Sequence, residues 1–203
     1  IMKLIVITGP SGSGKSYLSY RLSKIFNNSI VIKTDSYYRD NILIKFLSIF
    51  VYDIYDRLLS IKKNELKMTI KSIKNKNKLI SFYKYDFERK LSSQSNSLIK
   101  YNEDDQCLIL EGIFAHRLDL NYQETINIIC EEQKDICFNR RLKRDQLERG
   151  RNSIEVIKRF NKSWYLFYKN IKNYLHNTKV LFINTQDEIS YNKLILQIQK
   201  VKK

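Results

Sequence analysis

Five short apolar runs punctuate this chain, and between them apolar residues recur every three or four positions. The runs are Leu4-Ile5-Val6-Ile7, Ile30-Val31-Ile32, Cys107-Leu108-Ile109-Leu110, Ile126 to Cys130, and Val180 to Ile183. Continuous stretches of this length match strands buried on both faces, as in a parallel sheet. Helical spacing marks Lys15 to Phe26, through Leu18, Leu22 and Ile25, and then Asn41 to Lys78, through Phe46, Ile49, Phe50, Ile54, Leu58 and Ile61. Its lysine-rich end, Lys62 to Lys78, reads as a solvated face. Further helices are expected from about Gln133, over Ser153 to Leu175 with Trp164, Phe167, Tyr168 and Ile171 on the core face, and around Leu194, Ile195, Ile198 and Val201. Ile80 to Lys90 alternates with Tyr83, Tyr85 and Phe87 as a hairpin would, and the polar Ser92 to Asp105 reads as a mobile loop. Strands alternating with helices predict an α/β fold with five strands, in one domain spanning residues 1–203.

Glycine use sharpens this picture. The chain has five glycines and one proline, and three of those glycines and the proline lie in Gly9-Pro10-Ser11-Gly12-Ser13-Gly14-Lys15-Ser16. A Gly-x-x-x-x-Gly-Lys-Ser string between a strand and a helix is a phosphate-binding loop. Its backbone N–H groups, from Gly9 through Ser11, Gly12, Ser13 and Gly14, curl inward as an anion nest beside a helix N-terminus. Lys15 can reach the β- and γ-phosphates, and the Ser16 hydroxyl can ligate Mg²⁺. The expected donor is ATP or GTP.

Charge and cysteine content narrow the setting. The net charge is +16, yet lysines alternate with Ile, Asn and Ser almost everywhere, which fits solvated surface rather than a nucleic-acid track. No apolar run approaches the roughly eighteen residues of a membrane span. Cys107, Cys130 and Cys137 lack metal-ligand spacing, and Cys107 and Cys130 sit in or beside expected strands as small reduced apolar residues. With a first strand beginning at about Lys3, no targeting leader is expected and the chain reads as cytoplasmic. A homo-oligomer is left open.

Three further stretches carry candidate chemistry. Asp35 follows the second strand, where α/β proteins place ligands, and can accept a proton from an attacking hydroxyl or help hold Mg²⁺; the alternative is a helix N-cap. Glu111 ends the central strand and would point at the Mg²⁺ region, with Gly112 leaving room beside it. In Arg140 to Arg151, Arg141, Arg144 and Glu148 share a helical face, Asp145 can pair with Arg141 or Arg149, and Gly150 ends the helix and frees Arg151. Such a segment, about residues 140–152, has the makings of an arginine lid over a triphosphate, excluding water and stabilising charge.

The phosphate loop, Asp35-Ser36-Tyr37-Tyr38, Tyr85-Asp86-Phe87, Glu111-Gly112-Ile113 and Arg141-Leu142-Lys143-Arg144-Asp145 through Arg149-Gly150-Arg151 resemble the uridine kinase (uridine–cytidine kinase) family, which is related to phosphoribulokinase. The match runs from residue 3 to about 183 in the family's order, and the lid string is its most specific part. The resemblance implies a P-loop kinase fold, a five-stranded parallel sheet flanked by helices, and Mg²⁺-dependent transfer of a γ-phosphate to a nucleoside 5′-hydroxyl, with an acceptor-binding insert at about 36–105. It implies Asp35 as the base, Tyr38 and Tyr85 near the nucleoside, and Arg141, Arg144, Arg149 and Arg151 as lid and phosphate residues.

Three departures fall in the acceptor pocket. Of the family's Asp-His-Pro-Asp-x-x-Asp stretch only Asp53-Ile54-Tyr55-Asp56 has a counterpart, its histidine after Tyr-Asp-Phe is replaced by Lys90, and a glutamine after the lid is replaced by Arg159. Lys90 and Arg159 would favour an anionic acceptor if they face the pocket. Uridine or cytidine is the leading acceptor. The alternatives are a pantothenate-, glycerate- or ribulose-phosphate-like metabolite, or a nucleotide-switched nucleic-acid-binding protein. No Asn-Lys-x-Asp guanine motif accompanies Asn75-Lys76, Asn161-Lys162 or Asn192-Lys193.

Overall fold

The five apolar runs lie side by side in a computed structural model, which describes residues 2–27, 29–51, 54–102, 106–118, 120, 122 and 125–200. They form β1 (Leu4–Thr8), β2 (Ile30–Lys33), β5 (Leu108–Glu111), β6 (Thr125–Glu131) and β7 (Val180–Asn184), in the order β2-β5-β1-β6-β7 with every pairing parallel. Because side chains alternate across a sheet, β1 feeds two cores at once. Leu4 and Val6 join Ile32, Leu110 and the helix α3 (Lys63–Lys74) on one face. Ile5 and Ile7 join Leu18 and Leu22 of α1 (Lys15–Ile25), with Leu194 and Ile198 of α6 (Glu188–Lys200), on the other. Each fully buried aliphatic side chain contributes about 1.5–3 kcal/mol. All three cysteines are buried and free.

The helix expected from about Gln133 is α4 (Lys134–Arg149), closed by Gly150 in the left-handed conformation, and α5 (Ser153–Asn177) follows. Asn152 caps α5 by accepting from the Glu155 N–H. Phe167 and Ile171 of α5 are buried against Ile129, whereas Tyr168 is 37% exposed, so the core face is narrower than its aromatic content suggests. Val201 lies outside the described residues. Among the described residues no helix is long and apolar enough to cross a membrane.

Two expectations need correction. The long helix over Asn41 to Lys78 is two helices, α2 (Ile42–Phe50) and α3, separated by 3₁₀ turns at Ile54–Asp56 and Leu58–Ser60. Ile61 leaves the helical path to bridge Tyr38, and Arg39 N–H is bonded to Ser60 O, so tertiary pairing overrides the spacing. The expected loop over Ser92 to Asp105 is in large part a strand, β4 (Leu91–Leu98), paired antiparallel with β3 (Leu79–Asp86). Ser93, Ser95 and Ser97 are exposed and the strand shows no apolar alternation, while the ladder and cross-strand bonds such as Ser81 Oγ to Asn96 Oδ1 (2.7 Å) hold it.

Candidate functional site

The loop from Gly9 to Gly14 leaves the C-terminal end of β1, and Lys15 begins α1; β1, and not the Glu111 strand β5 as expected, is the central strand of the sheet, with β5 beside it. Gly12 and Gly14 have φ of 89° and 90°, a region L side chains rarely adopt. A Cβ at Gly12 would collide with the Cys137 carbonyl, and one at Gly14 with Thr185 Oγ1. Among the described residues no backbone or side-chain acceptor takes the N–H groups of Gly12, Gly14, Lys15 or Ser16. Gly14→Ala is therefore expected to weaken nucleotide binding by at least about tenfold, read by calorimetric titration with ATP, because the nest must rebuild around the strained position.

Lys15 Nζ donates to Pro10 O at 2.8 Å and makes no ion pair among the described residues. Burial holds its pKa below the ordinary lysine value, with Glu111 and Asp35 partly offsetting that. A half-buried ammonium beside unbonded amides has the chemistry of an anion site. Glu111 ends β5, where its Oε1 accepts from Ser16 Oγ (3.0 Å) and its Oε2 from Ser19 Oγ (3.2 Å), and Lys33 Nζ stands 3.8 Å away. Burial raises the Glu111 pKa against the pull of Lys15 and Lys33.

Asp35 sits in the 3₁₀ turn Thr34–Tyr37, whose N-cap is Lys33, so the cap alternative fails on position. Among the described residues its hydrogen bonds are two long ones, from Thr34 Oγ1 (3.5 Å) and Tyr38 Oη (3.4 Å), and its carboxylate lines the cavity. No group of three or more His, Cys, Asp or Glu side chains is placed to hold a metal by itself among the described residues. Ser16, Glu111 and Asp35 supply one hydroxyl and two carboxylates around the loop, a donor set that fits Mg²⁺ sharing its shell with phosphate oxygens and water.

Opposite stand the arginines of α4. Asp145, with no exposure, accepts from Arg144 Nε (3.0 Å) and Nη2 (2.7 Å) and from Arg151 Nη1 (2.8 Å), while Arg141 and Arg149 lie at 3.6 Å. Burial pushes the Asp145 carboxyl up, but Arg144, Arg149 and Arg141 outweigh it and hold it below the usual carboxylate value. Burial and neighbouring Arg144 lower the pKa of Arg149. Arg144 Nη2 also reaches Ser11 Oγ at 3.5 Å, tying the cluster to the phosphate loop.

A cavity of about 400 Å³ joins these parts. Lys15, Ser16, Asp35 and Glu111 form one wall, and Arg141, Arg144, Arg149 and Arg151 another. Tyr38, Tyr55, Tyr85 and Phe87 make an aromatic corner, with Tyr38 edge-on to Tyr55 (5.2 Å) and Tyr85 (5.4 Å). Lys90 and Arg159 line the same cavity, Arg159 already bonded to Glu155 at 2.8 Å. Asp53 and the side chain of Asp56 lie outside the described residues. A second hollow of about 450 Å³, lined by Gly14, Tyr17, Arg140, Thr185 and Gln186, opens beside the loop.

Sequence reasoning missed Tyr55, Phe87, Ser19, Arg140 and the hub role of Asp145. Arg140 Nη1 donates to Gly12 O (3.1 Å), and Arg149 stacks on Phe87 at 3.9 Å. Helical spacing pointed to two of the partners of Asp145; the other two come from the adjacent Arg144 and from the turn at Gly150.

Comparison with known proteins gives a consistent picture. The model of the phosphoribulokinase/uridine kinase family matches residues 4–189. A uridine kinase of Borrelia turicatae is 28% identical over 90% of this chain and 92% of its own length. A uridine kinase of Haemophilus influenzae is 31% identical over 77% of this chain and 75% of its own. Among solved structures, a possible uridine kinase from Bacillus stearothermophilus superposes with a TM-score of 0.54 at 16% identity, over 90% of this chain and 89% of its own, a likeness in fold.

Proposed function

The chain belongs to the phosphoribulokinase/uridine kinase family of P-loop kinases, and on that premise we propose that it moves the γ-phosphate of ATP or GTP to the 5′-hydroxyl of uridine or cytidine. The observation that supports this reading best is the single cavity in which the phosphate loop, Asp35, an aromatic corner and four arginines meet. The triphosphate lies along the loop, and its base enters the hollow at Tyr17, Arg140, Thr185 and Gln186. The acceptor lies against Tyr38, Tyr55, Tyr85 and Phe87. A planar pyrimidine suits an edge-on aromatic corner.

The Asp35 carboxylate takes the proton of the acceptor hydroxyl as that oxygen bonds to the γ-phosphorus. The bond from the γ-phosphorus to the β-phosphate bridging oxygen breaks, and the nucleoside diphosphate leaves with the electron pair. Lys15, Arg144 and Arg149 stabilise the charge that develops on the transferring group, while Arg141 and Arg151 fix the phosphates. Ser16 and Glu111, with Asp35 through water, would hold Mg²⁺, which would supply further neutralisation of the triphosphate charge.

A second reading, an anionic hydroxyl acceptor, draws on the lining itself, which has eight Lys or Arg side chains against three carboxylates. We rank it second because Glu155 already partners Arg159 and Lys90 is exposed. The test is nucleoside diphosphate release with Mg-ATP and Mg-GTP across uridine, cytidine and anionic hydroxy acids or sugar phosphates. Arg159→Gln is expected to raise kcat/KM for uridine or cytidine severalfold. If it instead weakens transfer to an anionic acceptor and gains nothing on nucleosides, the second reading replaces the first.

A further inference from the structure

We infer that Asp145 is a positioning residue for phosphoryl transfer: its buried carboxylate holds the cavity arginines in register while its charge opposes nucleotide binding. The inference rests on the kinase reading above. Four guanidinium groups from one short segment share this single carboxylate, at 2.7 to 3.6 Å. All four arginines line the cavity, whereas Asp145 itself is sealed beneath them. An ion pair whose purpose was stability alone would need one partner, and four like charges around one carboxylate repel each other.

Three of the arginines have a second anchor on a different element. Arg141 Nη1 donates to Ser163 Oγ of α5 (2.7 Å), Arg144 reaches Ser11 of the phosphate loop, and Arg149 stacks on Phe87 at the tip of the hairpin. Arg151 is drawn back by the turn at Gly150, where its N–H donates to the Asp145 carbonyl (3.1 Å) while its side chain binds the Asp145 carboxylate. Among the described residues, Asp145 is the point at which the arginines that reach loop, hairpin, α5 and turn meet. One negative charge set against four positive ones fixes the guanidinium planes, yet leaves a net surplus to meet a triphosphate.

This arrangement predicts effects of opposite sign on binding and on rate. Binding responds to the total charge of the site, whereas transfer requires each guanidinium in place within a fraction of an ångström. Asp145→Asn removes one negative charge directly behind the arginines that line the cavity, so Mg-ATP is expected to bind about three- to tenfold more tightly. The arginines lose their common pivot, so kcat is expected to fall by roughly tenfold or more. Asp145→Glu keeps the charge and moves the carboxylate by one methylene: nucleotide affinity should stay within about twofold and kcat should still fall by about fivefold or more.

The experiment is calorimetric titration of both full-length variants with Mg-ATP in the absence of acceptor, steady-state transfer, and a melting curve for each. Binding without acceptor reads Asp145 even if no tested acceptor is phosphorylated, so failure of the kinase reading is distinguishable from failure of this one. Tighter binding with slower transfer in the Asn variant supports the inference. If that variant does not fold, the Glu variant decides through its kcat. Wild-type kcat in either variant overturns the inference. So does weaker nucleotide binding by a folded Asn variant, or failure of both variants to fold, which would make Asp145 a folding residue.

Discussion

Lys15→Ala is expected to reduce phosphoryl transfer by about a thousandfold or more while leaving the fold intact. The lysine is the cation of the phosphate loop, and removing the group that follows charge onto the leaving β-phosphate removes stabilisation needed chiefly in the transition state. The fold should tolerate the change because the Lys15 ammonium bonds only Pro10 O and forms no ion pair among the described residues. Burial disfavours its charged form, so the nucleotide-free protein gives up an unfavourable charge along with the side chain. The check is turnover with saturating ATP beside a melting curve. Wild-type turnover would mean that the loop is not the donor site.

Asp35→Asn comes next in size, with an expected loss of roughly 10²–10⁴ in kcat, the range for a general base. Asparagine keeps the volume and the contacts at 3.4 and 3.5 Å from Tyr38 and Thr34, but it cannot take the acceptor proton. Nucleotide affinity, read by titration without acceptor, should change little if the role is proton transfer. A variant that turns over normally but melts earlier would return Asp35 to a structural part in its 3₁₀ turn.

Much of this was legible in the residues. The sheet strands were found because each is a run of three to five residues, apolar but for Asn127, a pattern that burial on both faces produces. The phosphate loop was found because glycine is scarce here and the left-handed positions at Gly12 and Gly14 have few alternatives. Helix α2 misled in a specific way. Phe46, Ile49 and Phe50 are 56%, 64% and 67% exposed, while Ile44 and Ser48 take the inner face, so the apolar spacing marked the outer side of that helix. Strand β4 was hidden because a two-stranded hairpin needs ladder bonds, not an apolar face, and serine records none of them.

In the site, the residue types were readable and the meeting points were not. Asp35, Glu111 and the arginines lie up to 116 positions apart in sequence, from residue 35 to residue 151, and parallel topology brings them to one end of the sheet. Tyr55 and Phe87 were passed over because an aromatic residue in a helical or alternating pattern is core by default. Their place in the cavity depends on the turn after α2 and on the tip of the hairpin, where Lys90 holds a left-handed φ of 52° and Asp86 Oδ1 accepts from the Glu88 and Arg89 N–H groups.

The most direct measurement is a single-turnover transfer with γ-labelled ATP, Mg²⁺ and uridine or cytidine, with the product identified by mass. The account predicts label in the nucleoside 5′-monophosphate at a stoichiometry of one per ADP formed, lost in Lys15→Ala and slowed in Asp35→Asn. Label that appears only in free phosphate, at the same rate with and without acceptor, would contradict it.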